Sequence, residues 1–218
     1  MNRLTAVRQA QKITDTVFSE IRRYIRPGLT EKQIAGQIKK RLAAYRAKTA
    51  FVPIVCSGQR TALFHGPTSK KKIRANEIIY IDMGARYRGY CADLTRTFFL
   101  GTPNKRLKKI YDIVLAVQKK QIALVRAGAS CAVLDQKGRN LLKKYRLGKY
   151  FTHSTGHGVG LKIHQKPRIS YKSKEVLKAG QVITIEPGVY IKGLGGVRIE
   201  DMLIVTKNGY INLSKSPK

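Results

Sequence analysis

Glu77-Ile-Ile-Tyr-Ile-Asp82-Met-Gly84 and, 104 positions later, Gln181-Val-Ile-Thr-Ile-Glu186-Pro-Gly188 decide how this chain reads. Each is an apolar, β-rich run ending in an acid and then a glycine, the pattern of a buried strand entering a turn. A carboxylate there needs an explanation, because burying it unpaired is costly or forces it to take up a proton. A second acid follows each run. Asp93 precedes Leu94-Thr-Arg-Thr-Phe-Phe99, and Glu200 sits in Val197-Arg-Ile-Glu-Asp201. A hairpin over 77–100 turning near Tyr87-Arg88 places Asp82 directly opposite Asp93. Glu186 and Glu200 are expected to face each other in the same way around Gly193-Leu-Gly-Gly196. Facing like charges destabilise a ladder, and a cation between them reverses that sign.

The acids recur because the chain does. At an offset of 100, Ile13, Val17, Arg26, Gly28, Leu42, Tyr45 and Arg46 match Ile113, Val117, Arg126, Gly128, Leu142, Tyr145 and Arg146. The offset drifts to 104 at Asp82 and Glu186 and to 107 at Asp93 and Glu200. The series predicts a duplicated α-α-β unit, an α+β fold in one domain (1–218) with halves of roughly 1–102 and 103–218. Leu4 to Ile25 carries helical apolar spacing, and Pro27-Gly28 interrupts it. Thr30 is an N-cap for a second helix with Ile34, Ile38, Leu42 and Tyr45 on one face. Thr102-Pro103 reads as a cap with proline at the first helical position. That helix carries Leu107, Ile110, Tyr111, Val114, Gln118, Ile122 and Val125 and ends by Gly128. Ser130 opens another to Tyr145. Residues 51–64 read as irregular strand and loop, and the chain from Tyr150 as mostly β.

Four carboxylates meeting at one place carry a charge that two divalent cations balance. Oxygen-rich ligands with one imidazole suit manganese, cobalt, zinc or iron. Three of the four histidines fall in His153-Ser-Thr-Gly-His157-Gly-Val-Gly-Leu-Lys-Ile-His164, and the fourth is His65. One of them completes a metal set, and the others position or polarise a substrate.

Composition excludes several classes. Of 218 residues 43% are hydrophobic, which argues against disorder. No apolar run approaches the ~18 residues of a membrane span, and Met1-Asn2-Arg3-Leu4-Thr5 opens no signal-peptide segment. Cys56, Cys91 and Cys131 have no C-x-x-C spacing, which excludes a disulfide framework and a zinc knuckle. A cytoplasmic protein with reduced thiols is expected, with Cys91 a small packing residue rather than a nucleophile. No G-x-x-x-x-G-K-[ST] phosphate loop occurs. Forty-four Lys and Arg against twelve Asp and Glu give a net charge of +32. Such a surface attracts polyanions, so nonspecific RNA or ribosome contact is expected. The bases are nevertheless scattered, as on a solvated face.

Ile81-Asp82-Met-Gly84, Gly89-Tyr-Cys-Ala-Asp93-Leu-Thr-Arg-Thr-Phe98, the histidine run, Ile185-Glu186-Pro-Gly188 and Arg198-Ile-Glu200-Asp201 resemble, in order, the motifs of the pita-bread metallopeptidases. These are the methionine aminopeptidases, Xaa-Pro aminopeptidases and prolidases, and the resemblance runs over nearly the whole chain. It implies a curved antiparallel sheet covered by helices in two pseudo-symmetric halves. It implies Asp82, Asp93, His157, Glu186 and Glu200 as ligands of two divalent metals, manganese foremost, with Asp93 and Glu200 bridging. His65, His153, His164 and Glu186 are the implied catalytic residues. His65, His153, His164 and Arg198 are the implied substrate-binding residues.

The spacing H-x-x-G-H-x-x-G-L-x-x-H and Ser154 resemble the proline-specific branch, as do Asp201 after the last ligand glutamate, Gly89-Tyr90 and Thr95-Arg-Thr97. The expected activity is hydrolysis of the N-terminal peptide bond of short peptides, Xaa-Pro foremost. Two features depart from that branch. Gln165 replaces an acid, and the N-terminal accessory domain of the branch is expected to be absent. The alternatives are a methionine aminopeptidase acting on nascent chains and a non-catalytic pita-bread RNA- or protein-binding module. A short peptide, RNA or a ribosome, and a second copy in a homodimer are the expected partners; a membrane is not.

Overall fold

Thr30 and Ser130 are the points at which the chain starts the same structure twice. In the computed structural model, which describes residues 2–218, each caps a helix of fourteen residues: α2 (Glu31–Ala44) and α4 (Cys131–Lys144). Met1 lies outside the described residues. The Thr30 side chain accepts from the Gln33 backbone N–H, and the Gln33 side chain returns a bond to the Thr30 backbone, a complete capping box. Ser130 accepts from the Val133 N–H. Gly28 and Gly128 turn the chain ahead of each cap with φ of +91° and +83°. Arg46 and Arg146 leave each helix in the left-handed region. Thr30 bridges Lys72, and Ser130 bridges Val176. The first helix of each pair is α1 (Arg3–Tyr24) or α3 (Lys105–Ile122).

The strands lie in four small sheets. β1 (Lys48–Thr49), β4 (Ala85–Tyr87) and β5 (Tyr90–Cys91) form one, in the order β1-β4-β5. A second is β2 (Ile54–Ser57), β3 (Glu77–Met83) and β6 (Leu94–Leu100). The largest has the order β13-β12-β9-β7-β8, from β7 (Gly156–Gly158), β8 (Gln165–Ile169), β9 (Val182–Ile185), β12 (Asp201–Val205) and β13 (Tyr210–Asn212). β10 (Gly188–Ile191) pairs with β11 (Gly195–Arg198). All pairings are antiparallel. This is the expected α+β architecture.

Strand periodicity decides which way the acids point. Ile79, Ile81 and Met83 of β3 pack against Val17, Ile21, Ile34 and Ile38 of α1 and α2 in one apolar cluster. Tyr80 and Asp82, at alternate positions, therefore face the other side. In β9, Ile183 and Ile185 pack with Ile122 and Leu134 of α3 and α4, which sends Thr184 and Glu186 to the opposite face. No helix among the described residues is long and apolar enough to cross a membrane.

Three sequence expectations need correction. The first hairpin turns at Arg88-Gly89, with φ of +48° and +85°, one residue later than expected. Tyr87 pairs with Tyr90 and Asp82 with Thr95, so Asp93 does not oppose Asp82. A turn displaced by one residue shifts the register by two, and a shift of two keeps every side chain on its face. Asp93 therefore stays on the Asp82 side, opposite Gly84. Gly84 is needed there: a Cβ would lie 1.9 Å from the Ala92 carbonyl oxygen. The cap of α3 is Asn104 rather than Thr102, because the Asn104 amide oxygen accepts from both Arg106 and Leu107 N–H groups. Tyr45 is the exposed C-cap of α2, and its hydroxyl donates to Glu20 at 2.6 Å. In the second half, Gly188↔Arg198 and Asp201↔Ile185 share one register, which places Glu186 opposite Glu200 as expected.

Candidate active site

A cavity of about 900 Å³ opens where the inner faces of β3, β7, β9 and β11 converge. Asp82, Asp93, His157, Glu186, Glu200, His65, His153, His164 and Arg198 all line it. The sequence thus singled out nine residues that folding brings to one wall system. Apolar contributions come from Phe51, Val52, Ile54, Phe64 and Ile163.

The acids form the floor. Asp93 and Glu200 are 5% and 2% exposed. Asp93, His157 and Glu200 each offer a ligand atom within 4.8 Å of the others. His157 Nε2 lies 3.6 Å from Asp93 Oδ2 and 3.3 Å from Glu186 Oε1. Burial, followed by the charges of Glu200, Asp82 and Glu186, lifts the Asp93 carboxyl well above the usual range. Burial with Glu186 and Asp82 does the same to Glu200. Asp82 is pushed up to about 6, mainly by burial, with Arg198 opposing. Glu186 is largely buried, and burial opposes its ionisation, but its hydrogen bond to His157 and that residue's charge hold it down at about 2.

These residues fit divalent cations. Asp82 lines the cavity, and its Oδ1 is buried without a hydrogen-bond partner, an acceptor left open for a cation. His157 Nδ1 lies 3.1 Å from the Gly158 carbonyl oxygen. His157 donates Nδ1–H to that oxygen, which leaves Nε2 facing Asp93 and Glu186. A bound cation would replace the Nε2 proton that now bonds Glu186, and the ring would then be the Nδ1–H tautomer a metal ligand needs. Three acids pushed toward protonation by burial and by the carboxylates around them are a site short of positive charge, and a cation removes that conflict.

Arg198 is 2% exposed and four of its N–H groups are taken. Nε donates to Thr95 Oγ1 at 3.0 Å, and Nη1 donates to the Phe64 carbonyl at 3.1 Å and to the Tyr190 hydroxyl at 3.2 Å. Nη2 donates to Asp82 Oδ2. Its guanidinium also lies over the Tyr80 ring, 4.9 Å from the centroid. His153 is equally tied. Its Nδ1 is 2.9 Å from the Ser154 carbonyl and its Nε2 is 3.0 Å from the Tyr190 hydroxyl. Nδ1 therefore carries the proton and Tyr190 donates to Nε2. The His153 ring stacks on Phe64 at 4.5 Å with planes 5° apart, and burial lowers its pKa to about 4. His65 packs edge-on against Phe64, and His164 against His157. Burial lowers both pKa values, aided by Arg198 for His65 and by His157 for His164.

Several supports had no role assigned from the sequence, although Thr95, Arg96 and Asp201 fall within its motifs. Thr95 donates to Glu200 Oε2 at 2.7 Å. Arg96, 1% exposed, donates to the Glu200 carbonyl and pairs with Asp201 at 2.9 Å. Glu31 is fully buried and accepts from Ser57 N–H, Arg60 and Ser69 N–H, pinning both ends of the segment that carries His65. Asp135, 104 residues later, accepts from Arg139 and from the Thr155 and Tyr171 N–H groups, beside His153. Arg139 in turn donates to the Phe151 and His153 carbonyls. The repeat offset of 100 in these helices matches Glu31 with Cys131, so the second acid sits about one helical turn further on and the repeat did not reveal the pair. Tyr190 could have been suspected only from its place two residues after Gly188.

Buried acids and an imidazole grouped in an open cavity define a metal-dependent hydrolase class of site. The chain belongs to metallopeptidase family M24, whose family model matches residues 5–207. It is 42% identical over 213 residues to the Xaa-Pro dipeptidase of Pyrococcus horikoshii, which takes in 97% of this chain and 61% of the relative. Its fold matches the solved prolidase of Pyrococcus furiosus with a TM-score of 0.97 at 42% identity, over 99% of this chain and 64% of that one. It matches the X-Pro aminopeptidase of Thermotoga maritima with a TM-score of 0.96 at 36% identity, over 99% of this chain and 61% of that one. The fold is therefore the pita-bread fold. The chain spans 61% of the length of the curated Pyrococcus relatives it matches.

Proposed function

We propose that this chain hydrolyses the N-terminal peptide bond of short peptides, Xaa-Pro foremost, with two divalent metal ions, manganese first among them. Asp82, Asp93, His157, Glu186 and Glu200 would hold the ions. The observation that carries the reading is the convergence of four largely buried carboxylates on His157, with one Asp82 oxygen unpartnered. Bound there, a divalent cation would polarise the scissile carbonyl and bring the pKa of a water toward ~7.

The chain's own residues supply the rest. Glu186 lines the cavity 3.3 Å from His157 Nε2 and is the base, accepting a proton from the attacking water and returning it to the leaving nitrogen. His65 and His164 line the cavity with lowered pKa values, so each enters as a neutral imidazole with one N–H to donate. They are assigned to the developing oxyanion and the substrate backbone, where losing one donor typically costs about 3 kcal/mol. His153 and Phe64 form a flat stacked wall, suited to a proline ring. Arg198 holds Asp82, Phe64 and Tyr190 in place and meets the substrate through that wall.

The names of the relatives support the proline-specific reading over methionine removal or a binding role. The chain is proposed to act as one catalytic domain with halves of roughly 1–102 and 103–218, in the cytoplasm, as a homodimer. RNA contact through the +32 surface would be nonspecific and salt-sensitive. The test is hydrolysis of Ala-Pro, Ala-Pro-Ala and Met-Ala-Ser by metal-stripped protein resupplied with manganese, cobalt or zinc. Metal-dependent cleavage of the proline peptides is expected. Cleavage of Met-Ala-Ser alone, or none by protein shown to bind metal, would overturn the reading.

A further inference from the structure

The catalytic cavity continues into a second groove of about 530 Å³ that shares Thr152, His153, Ser154, Lys166, Arg168 and Glu175 with it. Five of the groove's twelve lining residues are Lys or Arg, about twice the share across the chain, 44 of 218. Arg139 is committed to Asp135. Lys166, Arg168, Lys172 and Lys174 are exposed, and among the described residues none of them forms a side-chain ion pair. The single acid, Glu175, is already engaged by the Arg168 backbone N–H at 2.9 Å. Ser170 and Ser173 accept backbone N–H bonds from Lys172 and Glu175, which leaves each hydroxyl proton available to donate.

Four cations against the one Glu175 carboxylate, with two hydroxyl donors, leave a net positive groove beside a peptidase cavity that selects the charge of what lies in it. A free peptide amine is repelled there and a carboxylate is attracted. We infer that this groove takes the C-terminal side of the substrate and gives the chain a preference for Xaa-Pro peptides followed by an acidic residue. The inference rests on the peptidase reading above. The occupant is a short peptide rather than a nucleic acid, because the groove is a small pocket continuous with the catalytic cavity.

The test compares kcat/KM for Ala-Pro-Glu, Ala-Pro-Ala and Ala-Pro-Lys with metal-loaded protein. Ala-Pro-Glu is expected to exceed Ala-Pro-Lys by about tenfold at low ionic strength, and ~0.5 M salt should largely abolish the difference. In K172Q/K174Q the Glu-to-Lys ratio should fall to about threefold or less, and in K119Q/K120Q, on the exposed face of α3, it should not change. A second arm measures binding of tri-glutamate, which has no proline bond, by calorimetry. Binding weakened by K172Q/K174Q and not by K119Q/K120Q supports the groove even if no proline peptide is cleaved, an outcome that would sink only the peptidase reading. Equal rates on the three peptides, or tri-glutamate binding indifferent to K172Q/K174Q, overturns the groove assignment. So does an oligouridylate that depends on Lys172 and Lys174 when tri-glutamate does not.

Discussion

Replacing Asp93 by asparagine should raise the stability of the metal-free protein and abolish its stabilisation by metal. Asp93, His157 and Glu200 bring ligand atoms within 4.8 Å of one another. At an effective dielectric constant of ~20, two like charges at that separation repel by about 3.5 kcal/mol. Partial protonation relieves some of this, since the Asp93 pKa is held well above its ordinary 3.8, and about 1–3 kcal/mol remains at pH 8. Asparagine keeps the shape without the charge. At about 2–4 °C per kcal/mol for a chain of this size, metal-free D93N should melt about 2–12 °C above metal-free wild type.

The pH dependence has a fixed sign. A carboxyl whose folded pKa is raised contributes stability that is fully present below 3.8 and lost as pH rises through the folded value. The advantage of D93N should therefore widen as pH rises and close toward pH ~4. Manganese at a hundred times its Kd should add about 2.7 kcal/mol to wild type, or about 5–11 °C, and almost nothing to D93N. Melting followed by circular dichroism, with and without chelator, reads all four values. A metal-free D93N that melts below wild type at pH 8 and still responds fully to manganese would refute the argument.

Other perturbations probe the supports. Tyr190→Phe strips partners from His153 Nε2 and Arg198 Nη1 and should cost about 1–3 kcal/mol in urea unfolding; a loss below ~0.5 kcal/mol would contradict that network. Gly84→Ala drives a Cβ to 1.9 Å from the Ala92 oxygen and should destabilise by about 3 kcal/mol or more. Gly36→Ala, inside α2 with nothing within 4 Å, should stabilise by about 0.5–1 kcal/mol, and the same urea titration ranks the two. Glu31→Gln removes the charge that holds Ser57, Arg60 and Ser69. It should cost about 3 kcal/mol and speed hydrogen exchange across 57–69, with exchange near Asp135 unaltered.

Much of the fold and the site was legible because it is written in local signals. Helix caps at Thr30 and Ser130 follow from single side chains and short-range bonds. The acids stood out because they interrupt apolar strands in a chain with twelve acids in all. The offset of 100 reappears in the fold as paired glycine turns and left-handed arginines. Register was harder. Tyr87-Arg88 and Arg88-Gly89 are adjacent turn sites, and only the positive φ shared by Arg88 and Gly89 settles which is used. The error preserved the face, which is why Asp93 still reaches the site. The roles of Glu31, Asp135, Tyr190 and Thr95 depend on partners brought close only by tertiary folding, such as Thr95 and Glu200, 105 positions apart.

If the buried acids exist to hold divalent metal, anomalous diffraction from crystals grown with manganese will show it. Two peaks are predicted, enclosed by Asp82, Asp93, His157, Glu186 and Glu200, with Asp93 and Glu200 reaching both. Peaks elsewhere, or none while Arg198 still pairs with Asp82 and His157 with Glu186, would contradict it.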